Sequence, residues 1–162
     1  LKKFSSKKNI DLASLLNGSN IIACSDEHFG NANNILLPGK SKNMGNGWET
    51  RRRRGRGYDW IIINLGVSGM PKEFEINTHF FKGNYPDSFS IQANKENKHQ
   101  SIKSIVNKSH KWKTIIKKTK LKANSSLKIK NNYINNINYI KLNIFPDGGI
   151  SRFRARGKVK IE

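Results

Sequence analysis

Apolar positions in this chain recur every second residue or gather in short runs, and both patterns are typical of β-strands. A nearly continuous apolar run at residues 60–65 predicts a strand that is covered on both faces. Residues 73–81 alternate and predict another strand, with one face formed by Phe74, Ile76, Thr78 and Phe80 and the other by Glu75, Asn77 and His79. Residues 20–24 add a further short apolar run.

The later strands are separated by turn residues, which lie at positions 84–87 and 146–149. Strands are predicted at Phe89, Ile91 and Ala93, at Ile140, Leu142 and Ile144, and at Ser151, Phe153 and Ala155, which oppose Arg152, Arg154 and Arg156. Residues 101–120 would fit either a helical stripe or a loop with a strand at 112–116, and the loop is our preferred prediction. Residues 38–57 show no sustained period and predict a long loop, and such loops in compact domains are usually functional.

Many strands and no convincing helix of three turns favour an all-β sandwich. A chain of 162 residues fits one domain with one core. We expect residues 1–19 to be a polar lead-in, with a helical turn at residues 10–16, and residues 20–162 to form the domain.

Composition limits the cellular setting and the partners. The chain has no run of about 18 apolar residues, so we expect no membrane span. Cys24 is the only cysteine and no secretory signal opens the chain, which makes the cytoplasm the expected location. The net charge of +20 suggests nucleic acid, but lysine crowds together with Asn and Ile, as at residues 128–138. Because these residue types share A/T-rich codons and the lysines are scattered, we do not expect a nucleic-acid partner.

The segment at residues 47–60 carries the most informative chemistry. Five arginines occupy six positions (Arg51–Arg54 and Arg56), and Trp48, Glu49, Asp59 and Trp60 surround them. A disordered basic arm would not need these tryptophans and carboxylates. The planar fork of arginine forms paired, charge-assisted hydrogen bonds with carboxylates, so the segment predicts an ordered site for a small anion.

Four segments of the chain resemble the allantoicase family, in the family's own order. Residues 25–30 with 34–37 are similar to the opening of an allantoicase repeat, residues 43–54 with 58–60 to its GWETRR signature and the following HDW, residues 78–86 to its T-x-F-x-G-N-x-P segment, and residues 142–152 to its LNI-[YF]-PDGG closing motif. The resemblance as a whole extends over residues 21–157. Only residues 95–135 do not resemble the family.

The resemblance implies both a fold and a reaction. Allantoicases hydrolyse allantoate to ureidoglycolate and urea, and their repeats are jelly-roll β-sandwiches of the galactose-binding-domain-like type. Two repeats normally occur in tandem and assemble into homo-oligomers. This chain has one repeat, which is most similar to the second repeat of bacterial relatives. We therefore expect it to work as a homo-oligomer or by pairing with a second repeat.

The chemistry of allantoate, which carries one carboxylate and two ureido groups, suggests roles for individual residues. For the allantoate carboxylate we expect Arg51 and Arg52, then Arg152, while Asn84 would hold a ureido oxygen. Trp48 would wall the pocket or, more simply, pack in the core. The acid–base candidates are Glu49, His79, Asp26 and Glu27. For Glu49 the alternative is a surface ion pair with an arginine. For His79 the alternatives are a hydrogen bond to a ureido group or a structural role, and for Asp147 a structural role is expected.

Metal sites and other functions complete the expectations. The sequence has no HExxH motif, cysteine pair or carboxylate-rich loop, so no tightly held metal or other cofactor is expected, and a divalent ion in the site stays open. A jelly-roll module that binds a ligand, or an anionic polymer, without chemistry is the alternative function, because fold does not fix function.

Overall fold

The computed structural model describes residues 4–161 and shows a fold of antiparallel strands. The strands are β1 (Ile10–Asp11), β2 (Asn20–Cys24), β3 (Trp48–Glu49), β4 (Asp59–Asn77), β5 (Ser88–Asn94), β6 (Lys113–Lys120), β7 (Ser126–Lys130), β8 (Ile137–Phe145), β9 (Gly149–Ile150) and β10 (Arg152–Val159). One α-helix, α1 (Ile102–Ser109), lies between β5 and β6, and short 3-10 turns lie at Leu15–Asn17, Ala32–Leu36 and Met44–Asn46. None of the helices in this described part is long and apolar enough to cross a membrane.

Strand β4 links the two layers of the fold. Its first part, residues 59–64, pairs with β2 and β8, and β8 continues to β5 and the edge strand β6. Its second part, residues 69–77, pairs with β10 and β7, and β10 continues to β1. Both predicted strands, at residues 60–65 and 73–81, therefore belong largely to this one 19-residue strand.

The main core lies between these two layers. Fully buried Ile61, Leu142 and Phe89 come from one layer, and fully buried Phe74 and Phe153 come from the other. Their alternation with outward-facing residues is the pattern from which β5, β8 and β10 were predicted, and that prediction is confirmed. The all-β, jelly-roll sandwich is confirmed as well.

The end of β4 differs from the sequence prediction. The strand ends at Asn77, so Thr78, His79 and Phe80 do not continue its alternating faces. Phe80 has a φ of 74° and is 41% exposed, while the next residue, Phe81, is fully buried. Two hydrogen bonds to the amide and side chain of Asn124 hold this bend: the Phe80 N–H donates to Asn124 Oδ1, and the Asn124 N–H donates to Phe81 O.

The preference for a loop at the start of residues 101–120 was wrong, because residues 102–109 form α1, whereas the strand expected at 112–116 is found as part of β6. The Ser101 hydroxyl caps α1 by accepting from the Ser104 N–H at 3.1 Å. Ile105 of α1 then packs with Trp112, Ile62 and Tyr139 in a second cluster outside the main core. A helix of eight residues gives only two turns of periodicity, and its stability comes from this packing.

The segment expected as a polar lead-in contributes to the fold. The helical turn expected at residues 10–16 is replaced by β1, which pairs with β10, and by the 3-10 turn Leu15–Asn17. Leu12 and Ala13 are fully buried in the main core. The folded unit therefore includes residues that precede position 20.

Candidate active site

The loop between β3 and β4 carries the arginines, and we call residues 51–56 the arginine loop. It starts from a fixed point because β3 pairs with β9, with Trp48 opposite Ile150 and Glu49 opposite Gly149. A Cβ atom on Gly149 would lie 2.1 Å from the ring of Phe81, so only glycine fits there. The close packing around β9 thus positions Glu49 at the start of the loop.

Two cavities adjoin the arginine loop. The larger, of about 710 Å³, is bordered by Glu49, Asn84 and Asp147 together with Arg52 and Arg53, and we call it the Glu49 cavity. The smaller, of about 360 Å³, is bordered by arginines of the loop and by Asp26 and Asp59, and we call it the arginine cavity. Arg52 and Arg53 border both cavities, so the two spaces are neighbours.

Glu49 is oriented by a side-chain amide. Asn84 Nδ2 donates to Glu49 Oε2 at 2.6 Å, and the Asn84 main chain is itself fixed because its carbonyl accepts from the Gly149 N–H at 2.9 Å. One carboxylate oxygen is thereby held, and Oε1 has no partner among the residues that the structure describes. An oriented carboxylate with one open oxygen can exchange a proton with a bound water or substrate.

Two other carboxylates bind the main chain of the arginine loop. Asp26 Oδ2 accepts from the Arg51 N–H at 2.7 Å, and Asp147 Oδ2 accepts from the Arg53 N–H at 2.7 Å. These aspartates come from widely separated parts of the chain. They draw the loop toward the segment after β2 and toward the turn between β8 and β9.

The arginine side chains differ in their partners. Arg51 Nε donates to His28 Nδ1 at 2.9 Å, and Arg53 Nη2 donates to Asp59 Oδ1 at 2.8 Å and to the Tyr58 carbonyl at 3.1 Å. The Arg52 guanidinium has no hydrogen-bond partner within residues 4–161. Arg52 and Arg53 both border the two cavities, but only Arg52 has all of its guanidinium N–H groups available to a ligand.

The match to known proteins covers nearly the whole chain. The allantoicase repeat family model matches residues 10–160. The chain belongs to the allantoicase family. It is 46% identical over 159 residues to a probable allantoicase of Pseudomonas savastanoi pv. phaseolicola, a match that covers 97% of this chain and 48% of the relative. The chain thus spans about half the length of the curated relatives that it matches.

Solved structures agree on the fold. The crystal structure of allantoicase from Saccharomyces cerevisiae matches with a TM-score of 0.80 and 31% identity, over 92% of this chain and 43% of the yeast chain. A chitosan-binding module from a Paenibacillus chitosanase/glucanase matches with a TM-score of 0.64 and 18% identity, over 91% of this chain and 99% of that module. The second likeness shows the fold alone.

The repeat brings together only part of the residue set predicted from the sequence. Glu49, Arg52 and Asn84 border the Glu49 cavity, and Asp26 and Arg51 border the arginine cavity. Glu27 borders neither of these, and its carboxylate accepts from the Ala32 N–H at 2.8 Å. His79 follows β4 and also borders neither cavity.

Trp48 and Arg152 border neither cavity, and for Trp48 this agrees with the simpler expectation that it packs in the core. Trp48 is 0% exposed, and its indole N–H donates to the Asp26 carbonyl at 2.8 Å, so it supports the site from the core. Arg152 is 2% exposed, and its guanidinium donates to carbonyl oxygens of residues 34, 39 and 46. Both side chains are committed to the protein itself.

Sequence reasoning did not include Arg53 among the site residues. It gave Asp147 a structural role without identifying the group that its carboxylate binds. The signal for Asp147 was its position in a Pro-Asp-Gly-Gly turn, which does not reveal that the turn lies against the arginine loop. As for metals, no group of three His, Cys, Asp or Glu within residues 4–161 has the arrangement of an ion site.

Proposed function

We propose that this repeat binds and hydrolyses allantoate, releasing ureidoglycolate and urea. The observation that carries the proposal is the oriented Glu49 carboxylate in the same cavity wall as the unpaired Arg52 fork. An anionic substrate with a hydrolysable C–N bond needs both groups within reach. The kinship with allantoicases supplies the substrate that fits this pair.

Each residue then has a separate task. Arg52 binds the substrate carboxylate through paired hydrogen bonds, and Arg51, whose Nε is occupied by His28, adds charge from the neighbouring cavity. Asn84 keeps Glu49 oriented, and its side-chain carbonyl oxygen is available to accept from a ureido N–H. The expected ureido contact of Asn84 thereby becomes secondary to its hold on Glu49.

The reaction requires one proton to move. A water oxygen bonds to the central carbon of allantoate, the bond from that carbon to one ureido nitrogen breaks, and the departing nitrogen takes a proton to give urea. Glu49 can accept the proton from the attacking water and return it to the leaving nitrogen. One carboxylate therefore serves both halves of the reaction.

Urea release from allantoate by the purified, folded protein tests the proposal, with and without added divalent metal ions. We expect Glu49→Gln to lower kcat by about 100-fold or more. We expect Arg52→Lys to raise KM by about tenfold, because a point charge replaces the paired fork. Arg156→Lys, which lies on β10 away from both cavities, is the matched control and should behave like the parent protein.

Wild-type kinetics in folded Glu49→Gln and Arg52→Lys variants would remove the two residues from the mechanism. A binding module without chemistry would instead bind allantoate and release no urea. These outcomes separate the hydrolase from the alternative that the fold also permits.

We also propose that the protein works in the cytoplasm. We further propose that its active form contains a second repeat, either from another copy of this chain or from a paired domain. The support is that the chain spans 48% of its relative from Pseudomonas savastanoi. Specific activity should then fall as the protein is diluted, if the second repeat comes from another copy. Activity proportional to concentration down to nanomolar protein, from a sample that sediments as a monomer, would contradict the assembly.

A further inference from the structure

We propose that Asp26 and Asp147 are positioning residues that clamp the main chain of the arginine loop, so that Arg52 is presented to the substrate carboxylate. The proposal rests on the proposed function and assigns Asp26 a different task from the acid–base role expected from the sequence. The two clamps are the 2.7 Å hydrogen bonds from the Arg51 and Arg53 N–H groups.

The clamps act on alternate residues of one short segment. Arg51 and Arg53 each donate their main-chain N–H to a carboxylate, and the residue between them, Arg52, has no acceptor for its own N–H within residues 4–161. Hydrogen bonds from an N–H to an ionised carboxylate are shorter and stronger than those to neutral acceptors. Two of them, on either side of Arg52, fix the segment from which its side chain projects.

The side chains repeat this division. Arg51 and Arg53 are also held through their guanidinium groups, by His28 and Asp59. The residues on both sides of Arg52 are therefore tied down twice, at the main chain and at the side chain. A binding residue on a segment that is ordered in advance loses less conformational entropy when the ligand arrives.

Both clamping aspartates are themselves supported. The Asp26 carbonyl accepts from the indole of Trp48, which is fully buried. Asp147 is followed by Gly148, whose N–H donates to Thr50 Oγ1 and whose carbonyl accepts from the Thr50 N–H, both at 3.0 Å. The Asp147 turn is thus bound to the residue that precedes the arginine loop.

Three roles for these aspartates predict different kinetics. If Asp26 or Asp147 moved protons, its removal would lower kcat. If either acted only through its negative charge, its removal would strengthen binding of an anionic substrate and lower KM, because the local potential would become more positive. A clamp predicts the reverse, since a loosened loop presents Arg52 less well and KM rises.

The experiment compares Asp26→Ala and Asp147→Ala with the amide variants Asp26→Asn and Asp147→Asn in the intact protein. We expect each alanine variant to raise KM for allantoate by about tenfold with little change in kcat. The asparagine variants keep an oxygen acceptor and should recover most of the loss. Glu73→Ala, which removes a carboxylate that pairs with Arg156 and borders neither cavity, is the control for charge alone.

Amide hydrogen exchange gives a readout that does not depend on turnover. In the parent protein the Arg51 and Arg53 amides should exchange about tenfold or more slowly than those of Arg52 and Arg54. Asp147→Ala should remove the protection of Arg53 and spare that of Arg51, and Asp26→Ala should do the opposite.

Unprotected Arg51 and Arg53 amides in the parent protein would overturn the clamp, as would alanine variants that lower KM or reduce only kcat. If the protein released no urea while the exchange pattern held, the proposed function would fail and the clamp would stand as a device for another anion.

Discussion

Arg152 offers the sharpest test of how this structure assigns its arginines. It was expected at the substrate, whereas the structure shows its guanidinium holding the loop at residues 34–46. Nε donates to the Gly39 carbonyl at 3.0 Å, and Nη1 donates to the carbonyls of Asn34 at 3.0 Å and Asn46 at 2.7 Å. Replacement by methionine keeps much of the side-chain length and removes all of these bonds.

The cost follows from what each acceptor keeps. The Gly39 carbonyl still accepts from Arg154, and the Asn34 carbonyl still accepts from the Leu37 N–H. The Asn46 carbonyl loses Arg152 Nη1, which is its hydrogen-bond donor within residues 4–161. We assign about 2 kcal/mol to this unsatisfied carbonyl and about 1 kcal/mol to the other lost bonds. Burial and the nearby Arg154 lower the pKa of Arg152, so removing the charge offsets a part of this cost.

Arg152→Met should therefore lower the free energy of unfolding by about 2–3 kcal/mol, measured by urea denaturation with tryptophan fluorescence. For a domain of this size the midpoint of thermal unfolding should fall by about 5–10 °C. Arg156→Met, on the same strand, removes a more exposed arginine that pairs with Glu73 and Glu75 and should cost less than about 1 kcal/mol. Equal stability of the Arg152→Met variant and the parent protein would refute the reasoning.

Three further predictions concern packing and buried charge. Gly149→Ala should lower stability by about 1–3 kcal/mol and reduce activity, because its methyl group meets the ring of Phe81; a thermal midpoint equal to that of the parent would contradict this. Lys141 is 4% exposed, and its ammonium donates a hydrogen bond to Ser109 Oγ. No carboxylate in residues 4–161 lies within ion-pair distance of it, and burial lowers its pKa. The folded state thus binds this proton less tightly than the unfolded state, and unfolding free energy should rise as the pH climbs toward the ordinary lysine pKa. Lys141→Met should abolish that rise and be at least as stable at pH 7, and urea denaturation at neutral and alkaline pH checks both. For Glu96, burial acts to raise the pKa, but hydrogen bonds from Asn94, Gln100 and Trp112 outweigh it and hold the pKa below its usual value. Its contribution is therefore present above the pKa of an unfolded glutamate and lost as the pH falls below it, so Glu96→Gln should be less stable than the parent at pH 7 and closer to it near pH 3.

The parts of the fold that sequence could predict are those governed by local alternation. β8 and β10 follow directly from apolar residues at every second position. The continuity of β4 could not be predicted, because Gly66 and Pro71 look like strand breakers. Gly66 is required by the main chain of Asn17, and Pro71 lies next to a bulge in β4 itself, at Lys72, where its missing N–H is tolerated. Both reasons are contacts between distant segments.

The same division holds for the site. Glu49 and the arginines share one continuous motif, so their association was visible in the sequence. The hold of Asn84 on Glu49, and of Asp147 on the loop, depends on turns that meet only in the folded chain. Arg152 shows the other limit: the donors that fit a substrate carboxylate fit main-chain carbonyls equally well, and only burial tells the two uses apart.

The continuous course of β4 has a consequence for how the domain comes apart. Because one uninterrupted strand supplies hydrogen-bond partners to both layers, its main chain joins them, and we expect the two layers to unfold together. A single proteolytic cut at residues 66–68 would free each half of the strand with its own set of neighbours. The uncut chain should unfold in one cooperative thermal transition, and the nicked chain should unfold less cooperatively.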